Sequence, residues 1–447
     1  MLLATACLLL GGLPAAASAP TVRMVQAEPG PVVTGIVPGS VGRTSIDLSA
    51  TYDVAATLRY GDRSLLARTW LRVTNDSGGP IDRLELNTIA ARLGRIRLGA
   101  VSVDGVPVTA RVADQTIHVP LGVILPEGAT TVVRVGYRAT LRPGVSGSDW
   151  LFTRANSTID MYRWIPWVSR ARRFDRPNHG DPFVTASSPS VRVRITTDRA
   201  MGFATSGRRV ERSANGLTQT FVAENVRDFN LTASPSYRTL SGTAGDTRVQ
   251  VVYRPGAPAA TMLAWAKRAL TRMEALVGPY PYPTFTVAQS AGGFAMESPA
   301  LIWMPSGIAA SRLPYLISHE TAHQWFYSAV GSDQANQPFA DEAAADFLAR
   351  YTLGQRRASR CTTSTLDRTI YQYTSGCYYE VVYIQGGNFL DGIRRRMGSA
   401  AFWAGLRAYV EANRFGMGST RELLDTLDAH TPLNLVPRYA PRFPRLY

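Results

Sequence analysis

The stretch "SHETAHQWFYS", at positions 318–328, gives the strongest indication of the fold and chemistry of this chain. It holds two of only five histidines in 447 residues, His319 and His323, with Glu320 beside the first. Residues four positions apart lie on one face of a helix, so both imidazoles can offer a nitrogen to one metal ion. Glu320 lies about 100° further round the helix, where it can reach a water on that ion and act as general base.

A predicted helix and a third candidate ligand complete the metal-binding pattern. Pro314 and Gly331 predict a helix that begins near the first and ends just before the second. Eighteen residues after His323, Glu342 lies in the next predicted helix, "DEAAADFLARYTLG". Two neutral imidazoles and one carboxylate leave a fourth position open, which is typical of a catalytic zinc site. The alternative for an isolated match of this kind is a surface ion pair, but histidine is scarce in this chain.

Asp346 lies one helical turn beyond Glu342, on the same predicted face. A metal-bound imidazole usually donates its second ring N–H to a carboxylate, so Asp346 is a candidate for orienting a ligand histidine. The alternative is an ordinary surface aspartate.

The beginning of the chain predicts export. Residues 1–19, "MLLATACLLLGGLPAAASA", carry no charge, are apolar for about a dozen positions and end in small residues, as secretory signal peptides do. Residues 20–42, rich in Pro, Gly and Val, are predicted to be a linker. We expect a secreted or cell-surface protein without stable membrane insertion. An oxidising compartment favours a disulfide between Cys361 and Cys377 over two separate buried thiols.

The formal net charge of +15 suggests a nucleic-acid partner at first sight. Lys267 is the only lysine, and the other 47 basic residues are arginines that are scattered along the sequence. No aromatic and basic interleaving accompanies them, so we predict no nucleic-acid partner. We attribute the charge to coding bias and to adhesion to acidic surfaces outside the cell. Short runs such as "RRFDR", at 172–176, are interpreted as solvated faces.

The length favours two domains. Residues 43–243 are predicted to be all-β, because runs such as "RTWLRVTND" and "VRVRITTDR" alternate between β-branched and polar residues and are separated by turn signals. Residues 244–447 are predicted to be mainly helical. The helix "AATMLAWAKRALTRMEALVG" ends at Gly278, and the strand-like "TFTVAQ" and "ALIWM" flank a loop, "SAGGFAMESP". A capping box, Ser419 with Glu422, opens the helix "STRELLDTLDAH".

Several separate motifs between about residues 40 and 435 resemble the aminopeptidase N-type zinc metallopeptidases, a branch of the gluzincins. "HETAHQWF" with Glu342 resembles their zinc signature, "GGFAMESPAL" their glycine-x-methionine-glutamate-asparagine loop, and "YIQGG" the segment that bears their catalytic tyrosine. "VGPYPYPTFTV", "YRWIPW" and "VRDFNLTAS" resemble other parts of the family. The resemblance implies a short, two-domain bacterial form. Its fold would be an N-terminal all-β domain, saddle- or sandwich-like, followed by a mainly helical, thermolysin-like catalytic domain with a small sheet.

The resemblance also implies roles for eight residues. The ligands of one zinc ion would be His319, His323 and Glu342, the catalytic residues Glu320 and Tyr383, and the substrate-binding residues Glu297, Met296 and Ala295. Glu320 would act as base and acid, and Tyr383 would donate a hydrogen bond to the oxyanion. Glu297 would bind the free α-amine of a peptide substrate.

Three departures from the family pattern are visible. Phe294 stands at the family's glycine position and Ser298 at its asparagine position. Arg154, in "TRAN", aligns approximately with amide or acidic residues that face the substrate amine in the family. Only 64 residues follow Tyr383, which predicts an open cleft.

The expected function is therefore that of an exported zinc aminopeptidase acting on peptides. One alternative is a zinc endopeptidase, favoured if the altered loop displaces Glu297. Another is a non-catalytic peptide-binding module on the same fold. Among the possible oligomeric states, a monomer is favoured.

Overall fold

The computed structural model describes residues 47–447. The predicted signal peptide, 1–19, and the predicted linker, 20–42, lie outside this range. The predicted fold class is confirmed, since the first part of the described chain consists mostly of β-sheets and the second part is mainly helical. Between residues 47 and 447, no helix has the length and apolar character of a membrane span.

The first part contains one large sheet and two smaller ones. Its strands are β1 (Ser49–Arg59), β2 (Ser64–Thr74), β3 (Ile81–Asn87), β4 (Arg97–Val103), β5 (Val106–Pro107), β6 (Arg111–Ala113), β7 (Thr116–Leu125), β8 (Thr130–Thr140), β9 (Phe152–Ala155), β10 (Thr158–Met161), β11 (Trp167–Val168), β12 (Val191–Thr197), β13 (Gly202–Thr205), β14 (Arg208–Arg212), β15 (Thr218–Ala223) and β16 (Leu231–Ser234), with one short helix, α1 (Ile89–Leu93).

The large sheet has eight strands in the order β14-β15-β12-β1-β2-β8-β4-β5, and the smaller sheets have the orders β13-β16-β10-β9 and β11-β3-β7-β6. β1 pairs in parallel with β12 and in antiparallel with β2. Buried and exposed residues alternate along both β1 and β2, as the sequence pattern predicts. One face of the large sheet therefore packs on the core, and the other faces solvent.

The second part is built on a five-stranded sheet and eight helices within the described residues. The strands are β17 (Arg238–Ala244), β18 (Thr247–Tyr253), β19 (Thr284–Ser290), β20 (Met296–Ser298) and β21 (Leu301–Pro305), and the helices are α2 (Ala259–Val277), α3 (Leu313–Ala322), α4 (Ala344–Leu353), α5 (Ser375–Tyr379), α6 (Gly386–Met397), α7 (Ser399–Ala412), α8 (Thr420–Ala429) and α9 (Val436–Tyr439). The sheet order is β17-β18-β19-β21-β20. The predicted domain boundary, between residues 243 and 244, falls in the β17–β18 hairpin of this sheet, and the division into domains stays a prediction.

The helix that bears the opening motif is shorter than predicted. It ends at Ala322, whereas Gly331 predicted an end eight residues later. The backbone leaves the helical register after Ala322, because Tyr327 has a φ of 155° and the N–H groups of Ser328, Ala329 and Val330 donate to carbonyls five residues back. Gly331 N–H then donates to Gly416 O at 3.0 Å, and Phe415 N–H donates to Ala329 O at 2.6 Å, so the segment that follows pairs with a distant part of the chain. The capping box of Ser419 with Glu422, in contrast, is present as predicted.

Two buried arginines join the two parts of the chain. Arg163 donates from Nη2 to the hydroxyl of Tyr327 at 2.7 Å. Arg227 donates from Nη2 to Gly416 O at 3.0 Å. Asp228 accepts a hydrogen bond from Tyr327 and supplies a compensating negative charge. A buried charge network of this kind has a defined geometry, so it fixes how the β part lies against the motif-bearing segment.

The predicted disulfide between Cys361 and Cys377 is present and closes a loop with a sequence separation of 16. This loop ends within α5, at Cys377. It lies beside the 3₁₀ turn at residues 177–179, because Asn178 donates from Nδ2 to Ile370 O at 2.8 Å and to Tyr373 O at 2.6 Å.

Replacing both cysteines, in C361S/C377S, should lower the free energy of unfolding by about 3 kcal/mol, because a loop of this length loses the constraint on its unfolded state. Urea denaturation of the oxidised wild type and the variant measures the difference. A reductant should bring the wild type to the stability of the variant and leave the variant unchanged. Equal stability of the oxidised proteins would contradict the prediction.

Candidate active site

A cavity of about 110 Å³ lies where α3, β20 and the turn at residues 177–181 meet. Its lining consists of Trp150, Arg176, His179, Asp181, Phe294, Ala295, Met296, Glu297, His319, Glu320, His323, Glu342 and Tyr383. The structure therefore brings together all eight residues for which the resemblance implied a role. Asp346 and Arg154 are not in this lining.

Three of these side chains form a triangle of ligand atoms. Nε2 of His319 lies 3.2 Å from Nε2 of His323. Oε2 of Glu342 lies 3.3 Å from the first nitrogen and 3.4 Å from the second. The ligand atoms of a tetrahedral zinc site with bonds of about 2.0–2.1 Å are separated by roughly 3.3–3.4 Å. The three atoms thus have the spacing of three corners of a tetrahedron.

The ligand oxygen of Glu342 is buried and makes no well-aligned hydrogen bond with a described residue. Burial would raise the pKa of Glu342, but the imidazoles of His319 and His323 reverse this and hold the pKa below its ordinary value. A buried carboxylate that two facing imidazoles keep ionised fits a metal ligand. These residues therefore fit a zinc ion.

The tautomer of His323 also suits metal binding. Its Nδ1 lies 2.7 Å from Oδ1 of Asp341 and 3.0 Å from Phe326 O, and both neighbours are acceptors. Nδ1 therefore carries the proton, which leaves the lone pair of Nε2 for the metal. Gln334 fixes Asp341 in turn, donating from Nε2 to Oδ2 at 2.7 Å.

Sequence reasoning selected Asp346 for this orienting role and missed Asp341. Asp346 accepts hydrogen bonds from the Tyr315 hydroxyl at 2.6 Å and from Nε of Arg350 at 2.8 Å. It makes no hydrogen bond to an imidazole of the described chain. Its link to the site is indirect, because the ring of Tyr315 stacks on His319 with centroids 5.7 Å apart.

Glu342 and Tyr383 each lie in a π-helical turn, at residues 339–343 and 380–385. A π-turn is wider than an α-turn and rotates the residues that follow it, so regular helical spacing misplaces Asp346. The two segments approach closely at Gly386, where a Cβ would lie 2.7 Å from the Cβ of Ala343. The first glycine of "YIQGG" is therefore required by packing, which the sequence alone did not indicate.

Tyr383 packs on a ligand. Its ring lies 5.4 Å from that of His319, with 20° between the planes. Burial, and then the negative charge of Glu342, raise the pKa of Tyr383 well above its ordinary value. The hydroxyl therefore stays protonated and available as a donor in the cavity.

Glu320 lies beside the ligands, and its Oε2 is buried without a partner among the described residues. Burial raises the pKa of Glu320 to about 7, against the opposing effect of the imidazoles of His319 and His323. A carboxylate with a pKa near neutrality can both accept and return a proton.

Glu297 lies on β20, the edge strand of the five-stranded sheet, where part of the loop was predicted. Burial raises its pKa well above the ordinary value, and nearby acids, Asp181 first among them, raise it further. Two hydrogen bonds to Ser298 hold β20 in position. Ser298 accepts at Oγ from Asn230 at 2.6 Å, and its carbonyl oxygen accepts from Gln324, next to a ligand histidine, at 2.9 Å.

Aromatic rings form the mouth of the cavity. Phe294 is 46% exposed, and its ring centroid lies 5.0 Å from that of His179 and 5.8 Å from that of Trp150. Phe294 therefore lies at the rim and does not displace Glu297. Arg154, expected near the substrate amine, instead lies over the ring of Tyr60 at 5.0 Å.

The solvated-face interpretation of "RRFDR" is wrong for its last residue. Arg176 is only 8% exposed and donates from Nε to Asp181 Oδ1 at 2.9 Å. Both line the cavity, so this segment contributes an ion pair to the site wall.

No family model matches this sequence, and no curated protein matches it significantly. Several solved structures do match this chain. An M1 zinc metallopeptidase from Deinococcus radiodurans has 21% identity and a TM-score of 0.68, over 88% of this chain and 94% of that chain. A glutamate-to-alanine mutant from the same organism, bound to a Tyr-Ser-Ala substrate, has 21% identity and a TM-score of 0.69, over 88% and 93%.

A two-domain M1 zinc metallopeptidase mutant bound to L-arginine has 22% identity and a TM-score of 0.68, also over 88% and 93%. This chain therefore has the two-domain fold of M1 zinc metallopeptidases. The resemblance of the sequence motifs to the aminopeptidase N type is confirmed at the level of the fold.

The hydrogen-bond pattern predicts which aspartate controls metal affinity. D341N should weaken zinc binding about 10- to 100-fold, because the neutral amide has one acceptor oxygen for two donors, Nδ1 of His323 and Nε2 of Gln334. D346N is the matched control and should change zinc affinity less than about 3-fold, because it contacts no ligand. Competition with a chelator on folded protein measures both. Equal effects, or a larger effect of D346N, would contradict the assignment.

Proposed function

We propose that this chain is a zinc aminopeptidase that removes N-terminal residues from peptides. The observation that carries the proposal is the ligand triangle of tetrahedral spacing with Glu320 and Glu297 in the same cavity. His319, His323 and Glu342 would hold the ion. When bound, zinc polarises a peptide carbonyl and lowers the pKa of a coordinated water.

In this mechanism Glu320 moves the protons. Its carboxylate removes a proton from the attacking water and later gives it to the leaving amine. The pKa of about 7, which burial produces, suits both steps at neutral pH. Tyr383 donates a hydrogen bond to the oxygen that becomes negative in the transition state, where the hydrogen bond is strongest.

Glu297 would bind the α-ammonium group of the substrate. It is 4% exposed, in a cavity whose other acids already oppose its ionisation, so an incoming ammonium group would be strongly favoured. Because Glu297 lies at a fixed distance from the zinc ligands, it would favour peptides whose free N-terminus can reach its carboxylate.

Two alternatives have less support. A zinc endopeptidase was favoured if the altered loop displaced Glu297, but Glu297 lines the cavity together with the ligands. A non-catalytic binding module has no need of Glu320, which is buried beside the ligands without a partner in the described chain.

We also propose that the protein is exported. The signal-like residues 1–19 and the Cys361–Cys377 disulfide both suit an oxidising compartment. A monomer, with domains at 43–243 and 244–447, completes the proposal.

E320Q tests the chemistry. The variant should bind zinc like the wild type, because Glu320 is not a ligand, and should lose about 10²- to 10⁴-fold in kcat because the base is gone. Metal analysis and hydrolysis of a fluorogenic amino-acid amide measure the two properties. Unchanged hydrolysis would overturn the mechanism.

A peptide assayed with a free and with an acetylated N-terminus tests the exopeptidase assignment. The wild type should cleave only the free form efficiently. E297Q should lose about 10- to 100-fold in kcat/KM on the free peptide, because a buried charge pair with the ammonium group is lost. It should show no comparable loss on the acetylated one. Equal cleavage of both peptides by the wild type would support the endopeptidase alternative.

A further inference from the structure

The solvent face of the eight-stranded sheet carries a cluster of arginines that the proposed function does not use. Alternate residues of β1, β2, β8 and β12 are buried, and the residues between them point outwards. Seven exposed arginines of β1, β2, β4, β8 and β12 lie on this outer side. Arg192 pairs with Glu211 of β14, and we call the other six the arginine face. They are Arg59, Arg68, Arg72, Arg97, Arg138 and Arg194.

Strand register places these side chains side by side. Arg97 on β4 and Arg138 on β8 are direct cross-strand partners, so their Cβ atoms are roughly 5 Å apart. Arg68 and Arg194 are both partners of Ala55, one on each side, and are therefore about 10 Å apart. The small side chain of Ala55 leaves the space between the two guanidinium groups open.

None of the six arginines forms an ion pair with a residue of the described chain. Arginines elsewhere are often paired, as Arg350 is with Asp346 and Arg421 with Asp425. Asp53 is the only acidic residue in the five strands that carry these arginines, and Glu211 of β14, in the same sheet, is close enough to interact with Arg194. Residues 1–46 contain a single acid, Glu28, so that segment cannot neutralise six charges.

A groove of about 570 Å³ opens at one end of the arginine face. Three members of the face, Arg59, Arg97 and Arg138, line it together with Arg95. Asp62 is the only acid in that lining. The face therefore offers a recess in which several guanidinium groups can contact one anion.

The arrangement is unfavourable for the isolated protein. Like charges directly opposite each other on neighbouring strands destabilise a sheet, and the pairing of Arg97 with Arg138 is of this kind. A surface that serves only solubility mixes charges of both signs. An external anion would remove the repulsion, and several adjacent guanidinium groups suit a polymer with repeated charges.

We propose that the arginine face binds a linear polymer of phosphate groups. An interior phosphate of a linear polymer has two terminal oxygens, which one guanidinium fork can occupy, and the next charged phosphate follows directly along the chain. Consecutive phosphates can therefore each contact one of two adjacent arginines such as Arg97 and Arg138, whereas the carboxylates of an acidic peptide lie at the ends of separate flexible side chains. The face lacks the stacking platforms that single-stranded nucleic acids need, because the ring of Trp70 is half-buried and covered by Arg134 at 5.5 Å.

Binding of inorganic polyphosphate to the full chain, measured by titration at several salt concentrations, tests the proposal. The wild type should bind, with an affinity that falls steeply with salt. The triple variant R68Q/R97Q/R138Q should bind at least about 10-fold more weakly, and the slope of log affinity against log salt should fall by about 2 for three lost contacts.

The matched control is R238Q/R396Q/R438Q, which removes three exposed arginines outside the face, none of them ion-paired in the described chain, with the same change of net charge. It should bind polyphosphate nearly as well as the wild type. Both triple variants should hydrolyse peptides like the wild type, and the first should have a thermal midpoint no lower than that of the wild type, because it removes a repulsive pair.

Four results would overturn the proposal. They are no binding by the wild type, equal loss in the two triple variants, equally tight binding of polyglutamate, and tighter binding of single-stranded DNA than of polyphosphate. The third would indicate carboxylate recognition, and the fourth would indicate a nucleic-acid partner. None of these results depends on whether the catalytic proposal holds.

Discussion

The structure depends on a concentration of buried negative charge around two imidazoles. The acids that surround the cavity are Asp181, Glu297, Glu320, Asp341 and Glu342. Burial opposes the ionisation of such groups, and their mutual repulsion opposes it further. Arg176 is the one guanidinium group in the lining, and it already pairs with Asp181. A divalent cation held by the ligand triangle and an ammonium group at Glu297 are the charges that would balance this site.

The rest of the fold holds these acids together at fixed distances. The site forms where the edge strand β20, the end of α3 and the two π-turns meet. Specific contacts hold these elements together. Gln324 joins two of them, donating from Nε2 to Ser298 O and accepting at Oε1 from Ala300 N–H at 2.9 Å. Gly386 allows the two π-turns to approach. The buried Arg163 and Arg227 then fix the β part against the same region, so the cavity wall at residues 176–181 belongs to the β part while the ligands belong to the helical part.

The sequence predicted the elements whose signals are local. The alternating strands, the capping box at Ser419 and the spacing of His319 and His323 depend on neighbours within a few positions, and these predictions are confirmed. The errors involve contacts between distant segments. The segment after α3 turns to pair with residues 415–418, and the orienting carboxylate lies in a π-turn, for which "FADEA" gives no sequence signal.

Charge has opposite consequences in the two places where it accumulates. In the cavity, burial makes the ionised form of each acid unfavourable. The pKa values of Glu320 and Glu297 are therefore raised. On the arginine face water screens the guanidinium groups, and at physiological salt their repulsion falls off within about 8 Å. Six unpaired arginines are therefore tolerated without burial or partners, whereas the same number in the core would unfold the chain. Tolerance alone does not explain why Arg97 and Arg138 are direct partners in a sheet that has threonines at equivalent solvent-facing positions, such as Thr130 and Thr140. A surface neutral to selection would not need them paired, whereas a phosphate-binding surface would.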